Sequence, residues 1–125
     1  MKKLLLLFAL APLLMTSSCE PDNVDQIVCT QEFVYGLQIT VLDASTSQPL
    51  AEGVQVKAVS GDYQEILYNL LGQDFTFYGA GERIGLYTLT VTKEGYQTYV
   101  SAPIGVSANV CHVIPQLVTV NLQPL

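Results

Sequence analysis

Short runs in which apolar and polar residues alternate, with no apolar stripe at helical spacing between recognisable caps after the first twenty residues, point this chain toward a β fold. From Phe33 to Asp43, Tyr35, Leu37, Ile39 and Val41 alternate with Gly36, Gln38 and Thr40. That period of two turns one face of a strand to a core and the other to water. The same alternation recurs at Val54-Val56-Ala58, Phe75-Phe77, Tyr87-Leu89-Val91 and Val118-Val120-Leu122. Tyr63 to Tyr68 is read as a further strand, turned back toward Phe75 by Asn69 to Asp74. Turn-forming residues separate the runs at Ser45-Thr46-Ser47-Gln48-Pro49, Ser60-Gly61-Asp62, Gly79-Ala80-Gly81-Glu82 and Glu94-Gly95. About seven short strands between residues 27 and 125 predict a single all-β domain, an antiparallel β-sandwich with one core.

Ahead of that domain, Lys2 and Lys3 precede an apolar run from Leu4 to Met15, then Thr16-Ser17-Ser18, then Cys19. A dibasic start, an apolar stretch too short for a settled membrane helix and small residues before a cysteine describe an export signal. The pattern resembles a bacterial lipoprotein signal, in which the cysteine takes a diacylglyceryl group on its thiol and becomes the first residue of the mature protein. Ser18 fits that pattern, while Thr16 stands where the family usually carries an aliphatic residue. The alternative is an ordinary secretory signal cut near Ser17 or Ser18. The resemblance implies a signal peptide over residues 1–18, lipidation of Cys19 and attachment to the membrane by two or three acyl chains. The expected location is the cell envelope, at the outer membrane, on its periplasmic or its surface face. Residues 19–26 are polar, acidic and interrupted by Pro21, as suits an extended tether. Acidic residues just after the cysteine also resemble a surface-export signal of some bacterial lipoproteins.

Beyond Cys19 only Lys57, Arg83 and Lys93 stand against eleven acidic residues, a net charge of −8. Such a surface repels phosphate backbones and has no basic cluster, so nucleic acid is excluded as a partner. The acidity itself is read as a device for solubility.

With Cys19 assigned to lipid, Cys29 and Cys111 form an even pair in an oxidising compartment, one before the first strand and one before the last. A disulfide is expected. Two free buried thiols are the alternative, and a redox pair lacks Cys-x-x-Cys spacing. His112, the only histidine, adjoins Cys111. Neighbours on an extended strand point to opposite faces, which disfavours a thiolate–imidazole nucleophile, and one histidine with one cysteine falls short of a zinc ligand set. The acids Asp22, Asp25, Glu82 and Glu94 show neither a calcium-loop pattern nor a close catalytic pairing and are read as solvated. No catalytic residue, metal site or cofactor is expected.

Two stretches carry a second resemblance. Leu37 to Asp43, followed by Thr46-Ser47-Gln48-Pro49-Leu50 and Gly53-Val54, and later Gly85 to Val91 ending in Lys93-Glu94-Gly95-Tyr96, are similar to carboxypeptidase regulatory-like domains. Those domains open with a strand, a Thr/Ser-x-x-Pro-Leu turn and a strand after Gly-Val, and carry a later strand ending in Lys-x-Gly-Tyr. The resemblance covers most of residues 33–122 and implies an antiparallel Greek-key β-sandwich of the transthyretin-like type, used as an accessory module without peptidase activity. The transthyretin-like fold also houses 5-hydroxyisourate hydrolases, but Thr40 stands where those place a histidine before Val41-Leu42-Asp43, and the chain ends Gln123-Pro124-Leu125 without their Tyr-Arg-Gly-Ser tail. The expected function is therefore a non-enzymatic binding module for protein or glycan, with no ligand-binding residue assigned: Tyr63, Tyr68, Tyr78 and Tyr99 are candidates for an aromatic platform, but tyrosines are equally natural on the outer faces of strands, and that plainer reading is preferred for them. A structural subunit or spacer of an envelope assembly is the alternative.

Overall fold

The computed structural model describes residues 26–70 and 73–125. The signal peptide, Cys19, Asp22, Asp25 and nearly all of the tether lie outside them. Nine strands appear in chain order: β1 Tyr35–Asp43, β2 Gln55–Ser60, β3 Tyr63–Ile66, β4 Tyr68–Asn69, β5 Thr76–Gly81, β6 Gly85–Thr92, β7 Tyr99–Val100, β8 Ile104–Val106 and β9 Gln116–Leu122. They form two sheets, one ordered β4-β5-β1-β9 and the other β3-β2-β6-β7 with β8 also paired to β6. The chain crosses between sheets after β1, β3, β5 and β8, as a Greek-key sandwich requires.

Alternation does the work anticipated for it. Leu37, Ile39 and Val41 of β1, Phe77 of β5 and Val120 and Leu122 of β9 face Val56 and Ala58 of β2 and Tyr87, Leu89 and Val91 of β6 across one buried core. Every ladder is antiparallel except one: β9 runs parallel to β1, in a single register from Leu37 opposite Gln116 to Asp43 opposite Leu122.

The segment Tyr63 to Tyr68 is two strands rather than one. Leu67 is buried, its N–H donates to the Val56 carbonyl, and the chain changes sheets there, so β3 pairs with β2 while β4 pairs with β5. Leu67 fills the space left by a missing side chain: a Cβ on Gly79 would lie 2.6 Å from Leu67 Cγ. This close approach explains why Gly79-Ala80-Gly81, read as a turn, instead completes β5, with the turn displaced to Glu82 and Arg83.

Candidate functional site

The two motif stretches meet at one end of the sandwich. Asp43, 8 % exposed, accepts hydrogen bonds from the Ser45 N–H (2.7 Å), the Ser45 hydroxyl (2.5 Å), the Thr46 N–H (3.1 Å) and the Tyr96 hydroxyl (2.6 Å). Lys93 Nζ donates to the Glu52 carbonyl at 2.6 Å and would lie 3.2 Å from a Cβ on Gly53, while Gly53 and Gly95 supply the positive φ, 72° and 84°, of their turns. The residues after β1 and after β6 thus fasten to each other, and their chemistry is structural. The Ser45 and Tyr96 hydroxyls hold the Asp43 carboxyl down at about 2, and Asp43 in turn pushes the Tyr96 phenol up. Because the folded value is depressed from 3.8 to about 2, the stabilisation is complete above about pH 4 and is lost as pH falls from there toward 2. Asp43→Ala is expected to lower Tm at pH 7 by about 10 °C, with the gap to wild type narrowing across that acid window. A gap that stays constant down to pH 2 would show that the carboxylate charge is not what holds the knot.

The opposite end holds the entrance of the chain. Cys29 and Cys111 form a disulfide with Cα atoms 5.2 Å apart, so neither sulfur is a free nucleophile. His112 Nδ1 lies 2.6 Å from Glu82 Oε1, and its Nε2 lies 3.0 Å from the Thr30 hydroxyl and 3.1 Å from the Thr30 carbonyl. Glu82 is not simply solvated, because its carboxylate also accepts the Val34 N–H (2.9 Å) and the Val113 N–H (3.2 Å). Burial opposes its charge, but the Val34 N–H, His112 and the Val113 N–H together hold its carboxyl below the ordinary value. Thr30, Val34, Glu82, His112 and Val113 therefore clamp the entrance segment to the domain beside the disulfide. Glu94 is exposed to solvent, and among the described residues no side chain pairs with it. Among the described residues no group of three or more His, Cys, Asp or Glu side chains is placed to hold a metal ion.

The four tyrosines do not form one platform. Tyr63 stands on β3 with the Arg83 guanidinium 3.7 Å over its ring, and Tyr99 is half-buried on β7. Tyr68 and Tyr78 are register partners in the other sheet. The structure adds companions on that sheet's outer face: Tyr78 lies opposite Gln38, and Gln38 opposite Leu117, so Tyr68, Tyr78, Gln38 and Leu117 make one row across all four strands. Thr76, Thr40 and Thr119 form the next row. Beyond the first row, the Tyr35 ring meets that of Tyr78 at a tilt of 49° with centroids 5.4 Å apart, and Phe33 meets Tyr35 edge-on at 5.1 Å. A shallow depression of about 170 Å³ lies over Gln38, the threonine row and Leu117.

No strand position on this face carries a charge, although the chain beyond Cys19 has eleven acidic residues. One carboxylate, Asp74, accepts the Tyr78 hydroxyl at 2.7 Å, and this contact pushes the phenol of Tyr78 up. A larger depression of about 330 Å³ sits on β2 and β3 among Gln55, Lys57, Gln64, Glu65 and Ile66. Its long, flexible walls lose more entropy on binding than threonine and tyrosine do, so the four-stranded face is the better candidate. The chain matches no protein-family model and no curated protein.

Proposed function

We propose that this chain is a non-enzymatic, lipid-anchored module of the bacterial cell envelope, of the carboxypeptidase regulatory-like type, that binds neutral glycan on the outer face of its four-stranded sheet. The observation that carries this reading is the uncharged row of Tyr68, Tyr78, Gln38 and Leu117 beside the threonine row. Sugar rings offer C–H faces that lie on aromatic rings, and hydroxyls that exchange hydrogen bonds with amides and threonines. An uncharged face offers a charged ligand no ionic partner, and the acidic domain around it repels anions.

Three further observations support the rest. The disulfide is of the kind that persists in oxidising compartments outside the cytoplasm. The convergence of Asp43 with Tyr96, and of Lys93 with Glu52, gives the two motif stretches a shared structural purpose. The one histidine is engaged by Glu82 and Thr30, and its cysteine neighbour is oxidised, which favours a binding role over nucleophilic catalysis.

The test is retention on immobilised neutral polysaccharides. Wild type is expected to be retarded and Tyr78→Ala to lose about 10-fold in affinity, on the order of one stacked ring. Equal retention of the two proteins, or of neither, would favour the structural spacer. For the anchor, mass spectrometry of the membrane-extracted protein should give a chain that begins at Cys19 and carries acyl groups, and an unlipidated chain would remove it.

A further inference from the structure

We propose that β9 is a docking edge for a second copy of this chain, with two β9 strands pairing antiparallel about a twofold axis at Thr119. This goes beyond the glycan reading and does not depend on it.

Sheet edges invite pairing with another chain, and proteins blunt them with short strands, charges, prolines or bulges. The other edges among the described residues are short: β4 has two residues, β3 has four, and the strands flanking β6 opposite β2 are β7 with two and β8 with three. β9 has seven, Gln116 to Leu122, with no proline and no charge inside the strand. Its seven-residue register with β1 is unbroken, so no bulge twists it away. Among the described residues no strand lies along its other side from Gln116 to Leu122; Gly95 to Gln97 take up that side only past the end of the strand, where the Gln97 N–H donates to the Gln123 carbonyl and Tyr96 bridges Pro124. From Val113 to Leu125 no charged side chain occurs at all.

The backbone sets the register of such a pair. The Ala44 N–H donates to the Leu122 carbonyl, so Leu122 turns its polar backbone toward β1. By alternation Val120, Val118 and Gln116 do the same, which leaves the N–H and C=O groups of Leu117, Thr119 and Asn121 directed outward. An antiparallel copy centred on Thr119 sets Thr119 opposite Thr119 and Leu117 opposite Asn121, and satisfies all of these groups at once. On the core side it brings Val118, which is only half-buried, against Val120 of the copy. A second copy is the occupant because the edge is self-complementary in this register and because two such acidic domains can approach only where neither presents a carboxylate. The union joins the two outer faces into one continuous uncharged surface.

The test is cross-linking in membranes of the full chain carrying Thr119→Cys. In a hydrogen-bonded antiparallel pair the two Cα atoms stand about 5.5 Å apart, within the span of a disulfide. Mild oxidation is expected to give a band of twice the chain mass, at least 10-fold stronger than from Gln64→Cys on the exposed edge of β3. Comparable cross-linking at both positions, no cross-link, or a band whose mass is not twice that of the chain would overturn the proposal. Thr119→Lys, which sets like charges opposite each other, is expected to be folded by circular dichroism and to sediment as a monomer in detergent where wild type sediments as a dimer. A wild-type monomer, or a Thr119→Lys dimer, would overturn it too.

Discussion

Replacing Cys29 and Cys111 together by serine is expected to lower the unfolding free energy by about 4.5 kcal/mol, the loop-closure value for a link of this span. The two cysteines are 82 residues apart, so the bond constrains nearly the whole domain in its unfolded state. Domains of this size have only about 5–15 kcal/mol in total, so the serine variant stands near its threshold at 37 °C. The folded state supplies a check on the entropic account. The entrance segment is held by the disulfide and also by His112 against Thr30 and Glu82 against the Val34 N–H. If those contacts keep the segment in place without the sulfur link, the loss falls on the unfolded chain, and urea denaturation shows a lower midpoint with a slope that rises as the unfolded chain expands. A loss below about 1 kcal/mol would mean that the unfolded chain is already compact around this link.

The alternation of β1, β2, β5, β6 and β9 was legible because burial on one face writes a period of two into the residues. What the period does not encode is partnership. Nothing in Val118-Val120-Leu122 says that β9 lies parallel to β1, since pairing is chosen by the rest of the fold. The change of sheet at Leu67 was hidden for a related reason: an alternating run looks the same whether it continues or crosses over. Gly79-Ala80-Gly81 misled because glycine serves both turns and close approach, and here Leu67 and Phe33 need the room. β7 and β8 are too short to show any period.

The candidate site divides in the same way. The disulfide followed from counting cysteines, and Tyr68 and Tyr78 were singled out as aromatics. Gln38, Leu117 and the three threonines carry no local signal, because they become neighbours only across strands far apart in sequence. The Glu82 clamp was equally hidden: its partners Val34, His112 and Val113 come from both ends of the domain.

The tyrosines allow the face to be separated from the core by experiment. Tyr87 is fully buried, and its hydroxyl donates to the Arg83 carbonyl at 3.2 Å. Tyr87→Ala removes the largest side chain of the core and is expected to cost about 3–5 kcal/mol, through lost burial and the cavity left behind. Tyr87→Phe, which keeps the ring and gives up one hydrogen bond, is expected to cost about 1 kcal/mol. Tyr68 lies on the two-residue β4 and is 53 % exposed, so Tyr68→Ala is expected to cost less than about 1 kcal/mol. Glycan retention should rank the same variants in the opposite order, with Tyr68→Ala impaired and Tyr87→Phe unaffected. Thermal melts and retention measured on one set of preparations make the comparison direct. Were Tyr68→Ala to lower Tm as far as Tyr87→Ala does, the outer aromatics would be part of the domain's packing, and the absence of charge around them would need no ligand to explain it.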